Sequence, residues 1–179
     1  MTSRMLVSNV QLLPPAPKSA EDSRRIASEV CDGIGIVGER RADVARMTHE
    51  LVIEAMRVSP DAANIELRLV GAVAIGERPV LAVTVREIGV GQPLLPRVLV
   101  PGQGLSLVLR LARDRWPHRE VGWYTPDIGP TSWFIVGDAT PESAALLDTR
   151  RLLAMRGLEG VHRITQADIG GVLPAICWD

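Results

Sequence analysis

The sequence predicts a two-layer α/β sandwich in which helices cover one side of a mixed, mainly antiparallel sheet. Three observations carry this expectation. Strand-like segments with period-two alternation come in neighbouring pairs, Ile65, Leu67 and Leu69 with Leu81, Val83 and Val85, then residues 120–124 with 131–136. Helical periodicity is confined to stretches between those segments, giving the order β-α-α-β-β-loop-α-β-β-α rather than the regular alternation of a doubly wound fold. The chain of 179 residues, 46% hydrophobic and 23% charged, can bury one substantial core and is too apolar to be disordered.

Residues 6–12 read as a first strand, placed at an edge because Pro14, Pro15 and Pro17 follow at once. A helix over 19–30 has Ser19, Glu21 and Asp22 near its start, Ile26, Ala27 and Val30 as apolar positions, and Gly33 and Gly35 at its stop. A stronger helix runs from about residue 41 to 57, with Val44, Met47, Leu51, Ala55 and Val58 in one stripe, and Pro60 ends it. The alternation of Glu66, Arg68, Thr84 and Arg86 with apolar neighbours predicts a sheet with one face covered and one face more polar. A glycine- and proline-rich loop spans 88–103, and a loop of that length inside a compact domain is usually functional. The next helix, 105–115, turns Leu105, Val108, Leu109 and Ala112 inward. Thr140 before Pro141 opens a last helix to about residue 155, and one short helix is expected after Thr165. The domain reading is an α/β domain over 1–138 and a helical extension packed on it over 139–179.

Composition removes several functions. Twenty basic and 21 acidic side chains leave a net charge of −1, which argues against nucleic-acid binding by bulk charge. No apolar stretch in the first thirty residues suits a signal peptide or a membrane span, so a cytoplasmic protein without membrane contact is expected. Cys31 and Cys177 lie in no metal-ligand spacing and read as free thiols. Lys18 is the only lysine, which leaves little room for lysine-based catalysis. Five of the six aromatics fall between Trp116 and Phe134, on one helix end and the two closing strands, where they read as core packing.

Two constellations carry potential chemistry. Glu87-Ile88-Gly89-Val90-Gly91 ends a strand, and Gly102-Gln103-Gly104-Leu105 follows eleven residues later at a helix start. Glycines allow close backbone approach to a ligand, and a helix start offers unpaired N–H groups to an anion such as phosphate, although the same glycines also make plain turns. On the long helix Glu50 and Glu54 share one face, and Glu54 lies about 60° from the centre of the apolar stripe. Such a carboxylate suits a metal or a polarised water, or else borders the core beside Arg46 or Arg57. His49-Glu50-Leu51-Val52 begins like a zinc motif, but Ile53 stands where the second ligand belongs, and His49 reads as a surface residue. His118 and His162 have no ligand partner nearby in sequence, and Ser106 is in no nucleophile elbow.

Taken together these residues resemble a GHKL-type ATPase domain, the fold shared by gyrase, histidine kinases and a mismatch-repair ATPase. They are most similar to the small anti-sigma-factor serine kinases and their stand-alone bacterial relatives. The resemblance covers about residues 6–136. It rests on the strand and proline turn before Arg24-Arg25, the Glu50 to Val52 segment, the two glycine boxes through Leu107, Asp114-Arg115-Trp116, and the Trp133-Phe134 strand. It implies ATP and Mg²⁺ as cofactors, Glu50 as the base that activates the attacking hydroxyl or water, Glu87 as the adenine acceptor, and Gly89, Gly91, Gly102, Gly104 and Leu105 around the nucleotide. It also places Glu54 where the family's magnesium-holding Asn stands, and Glu87 where the family has Asp.

Those two departures weigh differently. One methylene moves the Glu87 carboxylate by about 1.5 Å but keeps an acceptor. Glu54 puts an anion beside a triphosphate, a repulsion on the order of 4 kcal/mol per unit charge at about 4 Å and an effective dielectric near 20, unless Mg²⁺ intervenes. Only Arg97 supplies a cation between the glycine boxes. The expectation is therefore a regulator acting by protein contact, with a sigma factor or an antagonist as partner, as a homodimer and with ATP binding weakened or lost. The alternative is an active Mg-ATP serine kinase. The residues after Pro141, among them Ala144, Leu147, Leu152 and Met155, are expected to support dimerisation or partner binding. No motif supports a small-molecule enzyme of another type.

Overall fold

The structure is a computed structural model that describes residues 4–74, 78–89, 98–124, 129–138 and 162–170. The elements in chain order are β1 (Arg4–Leu13), α1 (Pro17–Ile34), α2 (Gly38–Val58), β2 (Asn64–Ala74), β3 (Val80–Ile88), α3 (Gly104–Arg115), β4 (His118–Tyr124), β5 (Thr131–Gly137) and β6 (His162–Arg163), then a single 3-10 turn at Gln166–Asp168. They form a two-layer α/β sandwich around one sheet of order β1-β2-β3-β5-β4-β6, and every strand pair among the described residues is antiparallel. The helix expected over 141–155 lies outside the described residues, and the short helix expected after Thr165 is the 3-10 turn.

Local chemistry sets the helix ends. Pro17 occupies the first turn of α1, where its fixed φ suits the helix and its missing N–H costs nothing. The helix runs through Gly33 and stops at Gly35, whose φ of 80° is cheap for glycine, and the Ile36 N–H returns to the Cys31 carbonyl at 2.9 Å. Ser19, expected near the helix start, is the third residue of α1, where it is buried and donates its hydroxyl to the Pro14 carbonyl. Ser59 and Pro60 end α2, since proline carries no N–H to continue the ladder.

The three helices lie side by side on one face, α1 against β1 and β2, α2 against β2 and β3, and α3 against β4 and β5. Between the layers Val44, Met47, Leu51, Ile65, Leu67, Leu69, Leu81, Val83, Leu105, Val108, Trp123 and Phe134 are almost wholly removed from water, and Trp116 closes the core at the end of α3. Each such aliphatic side chain contributes roughly 1.5–3 kcal/mol of transfer free energy. Val58, assigned by spacing to the same stripe, is 40% exposed. It belongs to the last turn of the helix, and helical periodicity gives direction around an axis without saying how the helix end is covered.

The second face of the sheet is the more polar one, but it also holds buried apolar residues. Cross-strand register puts Ala82 beside Ile135 and Thr84 beside Trp133, and all four are 5% exposed or less. The alternation read from β3 sees only Thr84 and Arg86, whereas β5 adds an indole and an isoleucine to the same face, with Trp133 standing between Thr84 and Gly122. Polar character survives on β2, where Glu66 pairs with Arg68 at 3.7 Å and with Arg86 at 3.4 Å.

Candidate functional site

The α2 helix carries Glu50 and Glu54 one turn apart, and α3 begins at Gly104. Helix starts leave backbone N–H groups without intrahelical acceptors, and a polar side chain at the preceding residue normally takes one of them. Gln103 holds that position in α3 and makes no side-chain cap. The acceptor comes instead from α2: the Leu105 N–H donates to Glu54 Oε2 at 2.8 Å, and Glu54 is 3% exposed. An anion at the positive end of a helix dipole, bonded to a backbone N–H, is a favourable charge-assisted arrangement. Gly104 makes room for it, because a Cβ on this residue, whose φ is +48°, would collide with the Glu54 carboxylate.

Glu87 closes the other side of the region. It is 1% exposed at the end of β3, and the Ser59 hydroxyl, at the C-cap of α2, donates to its Oε2. Its own N–H bonds the Pro130 carbonyl at 2.9 Å, so the residue is fixed to both the helix end and the turn before β5. Glu54 and Ser59 lie five residues apart, about 7.5 Å of helical rise, so both buried carboxylates bear on the last part of α2. Gly89, at φ +82°, packs on Ala63, whose N–H bonds the Ile88 carbonyl at 2.8 Å. Gly102, at φ +78°, opens onto free space and donates its N–H to Ser106 Oγ at 3.3 Å. Gly91 and Arg97 lie outside the described residues.

Glu50 stands half-buried beside His49, with Oε1 3.9 Å from Nδ1. His49, expected at the surface, is itself only 22% exposed. Burial first, then Arg24, hold its imidazole below the ordinary value of 6.5, while Glu50 and Glu21 pull the other way. Cys31 is fully buried, and burial, helped by Asp32, pushes its thiol up to about 12, which removes it as a nucleophile near neutral pH. Among the described residues no group of three or more His, Cys, Asp or Glu is arranged to hold a metal ion, and no helix is long and apolar enough to cross a membrane.

The structure thus brings Glu54, Gly104 and Leu105 into direct contact and ties Glu87 to the same helix. One participant and one pairing escaped the sequence reading. Ser59 carried one usable signal, a hydroxyl at a helix end just before proline. The pairing of Glu54 with the start of α3 carried none, since 51 residues separate the partners. No known protein family and no curated protein matches the chain.

Proposed function

We propose that the chain is a regulatory protein with a histidine kinase-like ATPase fold that works by protein–protein contact, its nucleotide site weakened or lost. The observation that carries this reading is the bond from the Leu105 N–H to Glu54, with the carboxylate seated against Gly104. In the resemblance, that helix start is where the phosphates of ATP would lie and the Glu54 position is where Mg²⁺ would be held. Mg-ATP fits these residues poorly, because a phosphate arriving there meets a protein carboxylate already holding the N–H. Glu87, the counterpart of the adenine acceptor, is likewise buried and hydrogen-bonded by Ser59. The regulatory partner fits the class of a sigma factor or its antagonist. Calorimetric titration with ATP and Mg²⁺ tests the reading: wild-type protein is expected to bind weakly or not at all, and Glu54→Asn to bind more tightly. Micromolar binding by wild type that Glu54→Asn does not improve would overturn it.

A second reading, an anti-sigma-type serine kinase with Mg-ATP between the glycine boxes, draws support from Gly102, whose surroundings are open, and from half-buried Glu50, positioned as a base one turn from Glu54. The same titration supports it if wild type binds, and loss of phosphoryl transfer in Glu50→Gln would assign the base.

A further inference from the structure

Residues 162–170 lie beyond the stretch 6–136 that the resemblance covers, and they join distant parts of the domain. The run starts on the side of β4 away from β5, where β6 sets His162 opposite Trp123 and Arg163 opposite Gly122. The Ile164 N–H continues that pairing onto the Val121 carbonyl at 2.8 Å, and its side chain, 4% exposed, enters the same core as Val108 and Ala112 of α3. The 3-10 turn follows. Thr165 closes it by donating its N–H, at 2.7 Å, and its hydroxyl, at 2.9 Å, to Asp168 Oδ2.

From this turn the chain touches both ends of α3. Arg113, in the last turn of the helix, donates to Gln166 Oε1 at 3.0 Å. Gly170, at φ +85°, donates its N–H at 3.1 Å to the carbonyl of Leu99, five residues before Gly104 opens the helix. Leu99 is 1% exposed and part of the core, so the run is fastened to a buried point. The bonds of the intervening residues stay within the loop and α3: the Gln103 N–H goes to the Val100 carbonyl at 3.2 Å and the Gly102 N–H to Ser106 Oγ at 3.3 Å. The bond from Gly170 reaches that loop from outside. A loop with local bonds opens apart from the core unless an outside contact holds it.

We propose that residues 164–170 are a latch that holds the loop 98–103, and through it the start of α3, in the arrangement where the Leu105 N–H meets Glu54. Lifting the latch takes the partner from the Leu99 carbonyl, frees the turn before α3 to open and bares the Leu105 N–H. Asp168 is the release point, because it closes the turn that aims Gly170 at Leu99 and its bonds with Thr165 are exposed to competing water. The latch rests on these contacts and not on the nucleotide-site reading, which enters only in what the latch guards, the helix start where phosphate would lie. Its test uses no nucleotide, so either idea can fail without the other.

Native-state hydrogen exchange on the full chain, followed residue by residue, is that test. Asp168→Ala is expected to keep the far-ultraviolet circular dichroism of wild type while the amides of Gly170, Gln103 and Leu105 exchange about fivefold faster, the scale of losing one helix cap. The amides of Leu67 and Val83 in the central strands are expected to keep their rates. Gly170→Ala, which sets alanine at a left-handed φ where the added Cβ meets no atom, is expected to act in the same way. In wild type under rising urea, Gly170 and Leu105 are expected to open in a single step. The proposal is overturned if Gly170 loses protection in either variant while Gln103 and Leu105 keep theirs, or if Leu105 of wild type stays closed in urea that opens Gly170. A uniform rise that includes Leu67 and Val83, or no rise at all, overturns it as well.

Discussion

Glu54 and Gly104 are fitted to one another at the level of single atoms. The carboxylate takes a buried backbone N–H, and the glycine leaves the space the carboxylate fills. Removing the acceptor in Glu54→Ala leaves a buried N–H with one partner fewer and is expected to cost about 1–3 kcal/mol in urea unfolding. Gly104→Ala adds a methyl group against that carboxylate and also sets alanine at a left-handed φ, which alone costs about 1 kcal/mol. The two substitutions are therefore coupled. Gly104→Ala is expected to cost distinctly more in wild type than in the Glu54→Ala background, where only the backbone penalty persists, and a double-mutant cycle with no coupling would refute the fit.

Between elements, the packing of α1 on α2 sets the behaviour of His49, whose surroundings include Arg24 and Glu21 from α1 and Glu50 from α2. Its folded-state value lies below 6.5, so between the two values the unfolded chain binds more protons than the folded one. Stability therefore rises with pH through that window and levels off above about 6.5. Urea midpoints measured from about pH 5 to 7.5 should show this rise in wild type and a smaller one in His49→Gln. Element boundaries of this kind were legible where the residue itself does the work, as with Gly35 and Pro60, whereas Pro17 was read as part of the turn and opens α1 two residues before the expected start. They were not legible where one element completes another: nothing near Gln103 announces that the cap of α3 hangs from α2, and nothing in the stripe of α2 says that Val58 is exposed. The two glutamates were readable as candidate site residues from the glycine boxes and the helical spacing, but their engagement with Leu105 and Ser59 depends on distant contacts that a linear pattern does not encode.

At the scale of the molecule, the aromatic residues that crowd the second half of the sequence distribute over both faces of the sheet. Trp116 and Trp123 belong to the helix side and Trp133 to the other, and each is 2% exposed or less. The second face is the more polar one, as alternation indicates, but its burial at β3 and β5 was not legible strand by strand, because burial is decided by which residues neighbouring strands bring alongside. If both faces unfold as one unit, tryptophan emission should shift to longer wavelength at the same denaturant concentration at which helical circular dichroism is lost. Separate midpoints would show two cooperative units. The ends of α2 and α3 away from the buried glutamates are joined as well, through Arg115 with Asp43 at 2.6 Å and with Glu39, and through Arg40, which bonds Asp138 and lies 4.9 Å over the Trp116 ring. The bond from Leu105 to Glu54 has one further consequence. A capping anion that is covalently part of the chain cannot be dialysed away, diluted, or outrun by a changing metabolite pool; its local concentration is set by the fold, and any free anion competes against that fixed value. A free anion therefore takes the start of α3 only by outcompeting a carboxylate that is always present.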